Sequence, residues 1–101
     1  MSEKTTREEL AENIDEAEWQ WLKPHLERGA LITVAAAIDL EEAGEKIATD
    51  DAAVVTDWIR AGRLGKPTEE QTARWDDEPT KKFLALIVSP YVLIQEIGTM
   101  N

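Results

Sequence analysis

The chain contains no cysteine and a single histidine, His25. The first absence excludes a disulfide framework, a thiolate metal centre and a cysteine nucleophile. The second leaves a histidine-based zinc site without its converging ligands. Nucleophilic catalysis is short of its usual parts as well. No apolar run approaches the roughly 18 residues of a membrane-spanning helix. The most apolar stretch, Phe83 to Val88, is closed by Ser89-Pro90. The opening MSEKTTREEL has no apolar core of the kind a secretory signal carries. These absences predict a soluble cytoplasmic protein with no membrane partner. No Gly-x-Ser-x-Gly elbow is present. Gly65-Lys66-Pro67-Thr68 fails as a phosphate-binding loop, because proline stands where Ser or Thr should follow the lysine.

Positive charge is the other scarcity. Lys and Arg number 11 against 21 Asp and Glu, for a net charge of -10. The first fifty residues hold 5 basic and 13 acidic side chains, the remainder 6 and 8. Such a surface favours basic partners and repels nucleic acid and anionic lipid. The carboxylate groups Asp50-Asp51 and Asp76-Asp77-Glu78 could in principle hold Mg²⁺ or move protons. Neither has the alternating spacing of a calcium loop, and both fall where helix caps or solvated turns are expected. No metal and no cofactor is therefore expected.

What the chain does have is the composition of one folded domain, with 43% hydrophobic residues among 101. The sequence predicts a globular unit over residues 6–97 between short flexible ends, 1–5 and 98–101. Thr6-Arg7-Glu8-Glu9 is a capping box. Leu10, Ile14, Ala17 and Trp21 follow it on one stripe at helical spacing. Trp19 and Leu22 fall off that stripe, which calls for a second buried side or a break near Asn13–Asp15. Pro24 should end this helix or open a short turn, and Gly29 can take the left-handed position after it. Ala30 to Val34 has strand composition.

Helices are expected over 39–49 and 52–61, joined by Asp50-Asp51 and stopped by Gly62. Thr68-Glu69-Glu70-Gln71 is a second capping box, opening a polar helix anchored by Trp75. Phe83 to Val88 is apolar on both alternating faces, as a strand covered on two sides must be. Pro90 then ends the sheet or bends it into Tyr91–Ile97. The predicted fold is a small α+β domain, with helices on a mainly antiparallel sheet of two or three strands. Its expected core is Ile14, Trp21, Leu31, Leu40, Ile47, Val55, Trp58, Ile59, Leu84, Leu86 and Val88.

Two groups stand out as candidate contacts. Trp19 is an aromatic outside the main stripe and is a candidate anchor for a protein partner; a second buried face shared with Leu22 and Leu26 is the alternative. Arg60, Arg63 and Lys66 are the only compact basic group and a candidate anion or nucleic-acid rim. The competing account is that cations at a helix C-terminus offset the macrodipole. Asp51 and Asp57 on the same helix oppose its use as a recognition helix.

Asp39-Leu40, Gly44, Ile47-Ala48, Asp50-Asp51, Trp58-Ile59, Gly62 and Leu64, with Phe83 through Leu93 and Glu18-Trp19 through Pro24, resemble a bacterial family. It is catalogued as domain of unknown function twenty-two eighty-eight. The resemblance covers roughly residues 8–95 and implies a compact acidic domain, with no activity to carry over. A second likeness covers residues 30–89, whose order of elements is similar to winged helix-turn-helix domains. Trp58 to Leu64 is similar to the end of a recognition helix in excisionase-like proteins.

The leading functional expectation is a non-enzymatic interaction module that offers an acidic surface to a protein partner, with self-association left open. The alternatives are a helix-turn-helix DNA-binding regulator and a carboxylate- or metal-dependent hydrolase.

Overall fold

The computed structural model describes residues 6–97, without the side chains of Thr6 and Arg7. The two expected flexible ends, 1–5 and 98–101, and the Thr6 cap therefore lie outside the described parts.

Among the described residues, five helices and five strands follow one another. They are α1 (Thr6–Glu12), β1 (Asp15–Glu18), α2 (Trp19–Glu27), β2 (Leu31–Val34), α3 (Leu40–Ala48), α4 (Ala52–Arg60), β3 (Leu64–Gly65), α5 (Glu69–Asp76), β4 (Lys82–Val88) and β5 (Tyr91–Glu96). The strands form one sheet in the order β1-β4-β5-β2-β3. Neighbours run antiparallel except β2 and β5, which are parallel.

The α+β class holds, but the expected two- or three-stranded, mainly antiparallel sheet is corrected to a mixed sheet of five. The reason is local. β1 reads Asp-Glu-Ala-Glu and carries no apolar alternation, and β3 is two residues long. Both are made by pairing with stronger neighbours rather than by propensity. Pro90 does not end the sheet: Val88 pairs with Tyr91 across the Ser89-Pro90 turn, and β5 continues to Glu96.

The pleat explains the layers. Along β4, Leu84, Leu86 and Val88 join one core cluster, and Phe83 and Ala85 join the other. On β5, Leu93 divides in the same way from Val92 and Ile94. The first cluster lies under α1, α3 and α4, and the second under α2 and α5. The sheet is thus covered on both faces, as the apolar reading of Phe83–Val88 requires, except at Ile87, which is 67% exposed.

Within the expected core, Leu31, Leu40, Leu86 and Val88 are buried, while Ile14, Ile47, Val55, Trp58 and Leu84 are partly buried against it. Two members are corrected. Trp21 is 62% exposed and Ile59 54% exposed. Ile59 fails because α4 lies at the margin of the sheet and buries no side chain fully.

The helix ends follow their residues. Gly29 and Gly62 take φ values of 73° and 74° just beyond α2 and α4. Ala30 N–H reaches His25 O and Arg63 N–H reaches Trp58 O, the six-residue closure of a Schellman ending. Pro24 is accommodated inside α2 rather than ending it. The Thr68 box forms as written, with Gln71 N–H donating to Thr68 Oγ1 at 3.1 Å and Thr68 N–H to Gln71 Oε1 at 2.9 Å.

The α3–α4 turn uses the same ending as the glycine sites but with Asp50, at φ 59°. Its N–H reaches Ile47 O, and that of Asp51 reaches Lys46 O. A Cβ in the left-handed region is strained. Asp50→Gly is therefore expected to stabilise the fold by about 0.5–1 kcal/mol, after the entropy that glycine adds to the unfolded chain. Chemical denaturation against wild type measures it, and a loss of stability would show that the Asp50 side chain contributes more than its backbone strain costs.

Candidate interaction surface

The break between α1 and α2 decides which tryptophan is outside. Asn13 and Ile14 leave the helix and Asp15–Glu18 pair as a strand, so helical phase restarts at Trp19. From that start, Trp19, Leu22 and Leu26 share a face at i, i+3 and i+7. They pack into the cluster beneath α2 and α5. Trp21 then points away from it.

Trp19, the candidate partner anchor, is accordingly corrected: it is 1% exposed and has no surface to present. Its ring centroid lies 5.1 Å from that of Trp75 and 6.0 Å from that of Phe83. Its Nε1–H donates to Asp76 Oδ1 at 2.9 Å. That bond, together with Lys23 Nζ at 3.0 Å, holds the Asp76 carboxyl below the usual aspartate range. Asp76 therefore ties α5 to α2, and Asp77 stands at the C-cap of α5. Among the described residues, no three His, Cys, Asp or Glu side chains are placed to hold a metal ion.

Ahead of Tyr91, the most exposed aromatic among the described residues is Trp21. Together with Glu16, Ala17, Glu18 and Lys82 it lines a shallow hollow of about 180 Å³. Glu18 Oε1 accepts from Gln20 Nε2 at 2.6 Å, and Lys82 Nζ stands 4.0 Å from Glu16 Oε1. Both partners of the latter pair are about 60% exposed, so the contact is weak and exchangeable. Glu8, Glu9, Glu12, Asp15 and Glu16 are exposed along α1 and β1. The exposed part of α1 and β1 is thus rich in carboxylates.

Arg60, Arg63 and Lys66 are all exposed, but they do not share one rim. Leu64 points into the core under α3 and α4, so alternation along β3 places Arg63 on the opposite face and Lys66 on the face of Leu64. Arg63 lines a polar hollow with Thr33, Gln71 and Glu96, on the α5 side. Lys66 lies on the other side, at an apolar groove formed by Ile32, Ile47, Val55, Ile59, Leu64 and Tyr91. Asp57 shares α4 with Arg60.

Glu16, Glu18, Trp21 and Lys82 are the site residues that sequence reasoning missed. The signal available was the alternative stripe Trp19-Leu22-Leu26, which assigns Trp21 outside once a break at residues 13–15 is accepted. Among the described residues, no helix is long and apolar enough to cross a membrane.

A family model described as a protein of unknown function (DUF2288) matches residues 5–96. The fold is similar to the NMR solution structure of PA1075 from Pseudomonas aeruginosa, at 34% sequence identity and a TM-score of 0.79, covering 100% of this chain and 97% of that one. No curated protein matches the chain.

Proposed function

The chain belongs to the DUF2288 family of proteins of unknown function, and from that footing we propose a non-enzymatic interaction module that binds a basic protein segment at its acidic β1 side. One observation carries this: Trp21 is 62% exposed and lies in a hollow shared with Glu16 and Glu18. Full burial of a large apolar side chain gains about 1.5–3 kcal/mol, and Trp21 gives up most of that in the isolated chain. An exposed indole beside carboxylates suits a lysine or arginine, which it can meet through its π face while the acids neutralise the charge. Tryptophan is also among the residues that dominate protein interfaces. The acidic surface disfavours phosphate backbones, whose binding rests on positive charge.

A titration with a ten-residue peptide of alternating lysine and threonine tests this. Trp21→Ala is expected to weaken binding about tenfold, and the wild-type affinity should fall as salt is raised. Equal affinities for the two proteins would remove Trp21 from the interface. Absence of any binding at low salt would overturn the proposed role.

A further inference from the structure

We infer that the basic segment docks by strand addition, as an extended stretch hydrogen-bonded antiparallel to the outer edge of β1. This mode of docking rests on the protein-binding role proposed above. β1 is an edge strand, and among the described residues nothing pairs with its outer side.

The register says which groups are free. β1 runs against β4 with Ala17 opposite Phe83, and the next step of the ladder is Trp19 N–H donating to Lys81 O at 2.8 Å. Hydrogen-bonded and non-bonded pairs alternate in an antiparallel ladder. Trp19, Ala17 and Asp15 therefore bond inward, toward Lys81 and β4. The backbone groups of Glu16 and the N–H of Glu18 point outward. The Glu18 carbonyl faces the first turn of α2, for which Glu18 is the N-cap residue.

The side chains name the occupant. A residue directly opposite Glu16 or Glu18 on an added strand shares its face and sits within reach of its carboxylate. Those two positions are two residues apart, so the fitting segment reads basic-x-basic, with the basic residues themselves at the hydrogen-bonded positions. Trp21 stands beside the same edge. Lys82 already supplies one cation to Glu16, at 4.0 Å, and would be displaced by an incoming one. A second copy of this chain does not fit. Pairing β1 with β1 would bring Asp15, Glu16 and Glu18 of one chain against the same acids of the other, and like charges in register destabilise a ladder.

The test uses ¹⁵N-labelled full-length protein and the alternating lysine–threonine peptide, whose backbone can be N-methylated at either residue type. Methylation on lysine removes the donors aimed at β1, whereas methylation on threonine alters amides that face away. Lysine methylation is expected to weaken binding at least tenfold and threonine methylation less than threefold. The Glu16 and Glu18 amides should exchange at least tenfold more slowly in the complex. Lys82→Gln should tighten binding a few-fold by vacating Glu16. If the peptide binds but both methylated forms bind alike and the two amides exchange as in the free protein, strand addition is overturned while the protein-binding role stands. If no peptide binds at low salt, both fall.

Discussion

Trp19→Ala is expected to remove about 3–5 kcal/mol of stability, the range for truncating a buried aromatic. That is a large share of the roughly 5–15 kcal/mol that holds a domain together. The size follows from position. Trp19 is 1% exposed and joins three elements at once: its own helix, Trp75 of α5 and Phe83 of β4. Trp75 and Phe83 are themselves edge-to-face, with centroids 4.9 Å apart, so the three rings form a closed cluster. Truncation opens a cavity at its centre and takes the indole donor from Asp76, which keeps only Lys23 of its two close partners. Trp21→Ala, two residues away, should change stability by less than about 0.5 kcal/mol, as exposed substitutions usually do. Urea unfolding of the two variants side by side makes the comparison. Equal losses would mean that α2 is rotated about its axis from the orientation described.

That contrast also shows where the sequence was legible and where it was not. Trp58 and Trp75 were placed inward from periodicity, and Trp75 is buried with Trp58 partly so. Trp19 and Trp21 were exchanged, because one continuous helix from Thr6 puts Trp21 on the stripe with Leu10 and Ile14. A four-residue strand of Asp, Glu and Ala resets the phase, and nothing in its composition announces a strand. It exists because β4 offers a free edge; its acids are the charges that guard such edges.

The same cause hid the candidate site, which is built on that strand. Elements with local signals fared better. The turn between α3 and α4, the Thr68 box and the Gly29 and Gly62 endings are decided by residues adjacent in sequence. The basic trio Arg60, Arg63 and Lys66 looked compact in sequence, yet the pleat of β3 parts Arg63 from Lys66. Spacing on a helix does not survive passage into a strand.

The α3–α4 pair, expected from its sequence to resemble a helix-turn-helix unit, is accounted for by its inner helix. Leu40, Ala43 and Gly44 of α3 are buried, whereas α4 buries no residue fully. α3 is therefore the helix that seats the pair on the sheet, and Gly44 lies in that contact. A Cβ there would stand 2.7 Å from Leu86 Cδ2, 3.2 Å from Leu10 Cδ1 and 3.4 Å from Val88 Cγ2.

Glycine inside a helix costs about 1 kcal/mol relative to alanine, so close approach is what favours it at this position. Gly44→Ala sets that gain against a crowding cost of about 1–3 kcal/mol, for an expected net loss of about 0–2 kcal/mol. Gly44→Leu adds three further carbons where α1, α3 and β4 meet, and should cost about 3 kcal/mol. Denaturant midpoints give both values. Adding Leu86→Val to Gly44→Ala withdraws the nearest methyl, and the double variant should be less damaged than the two single losses sum to, by about 1 kcal/mol of coupling. A stabilised Gly44→Ala, with no coupling to Leu86, would show that α3 has room to spare over β4 and that the glycine is not required by contact.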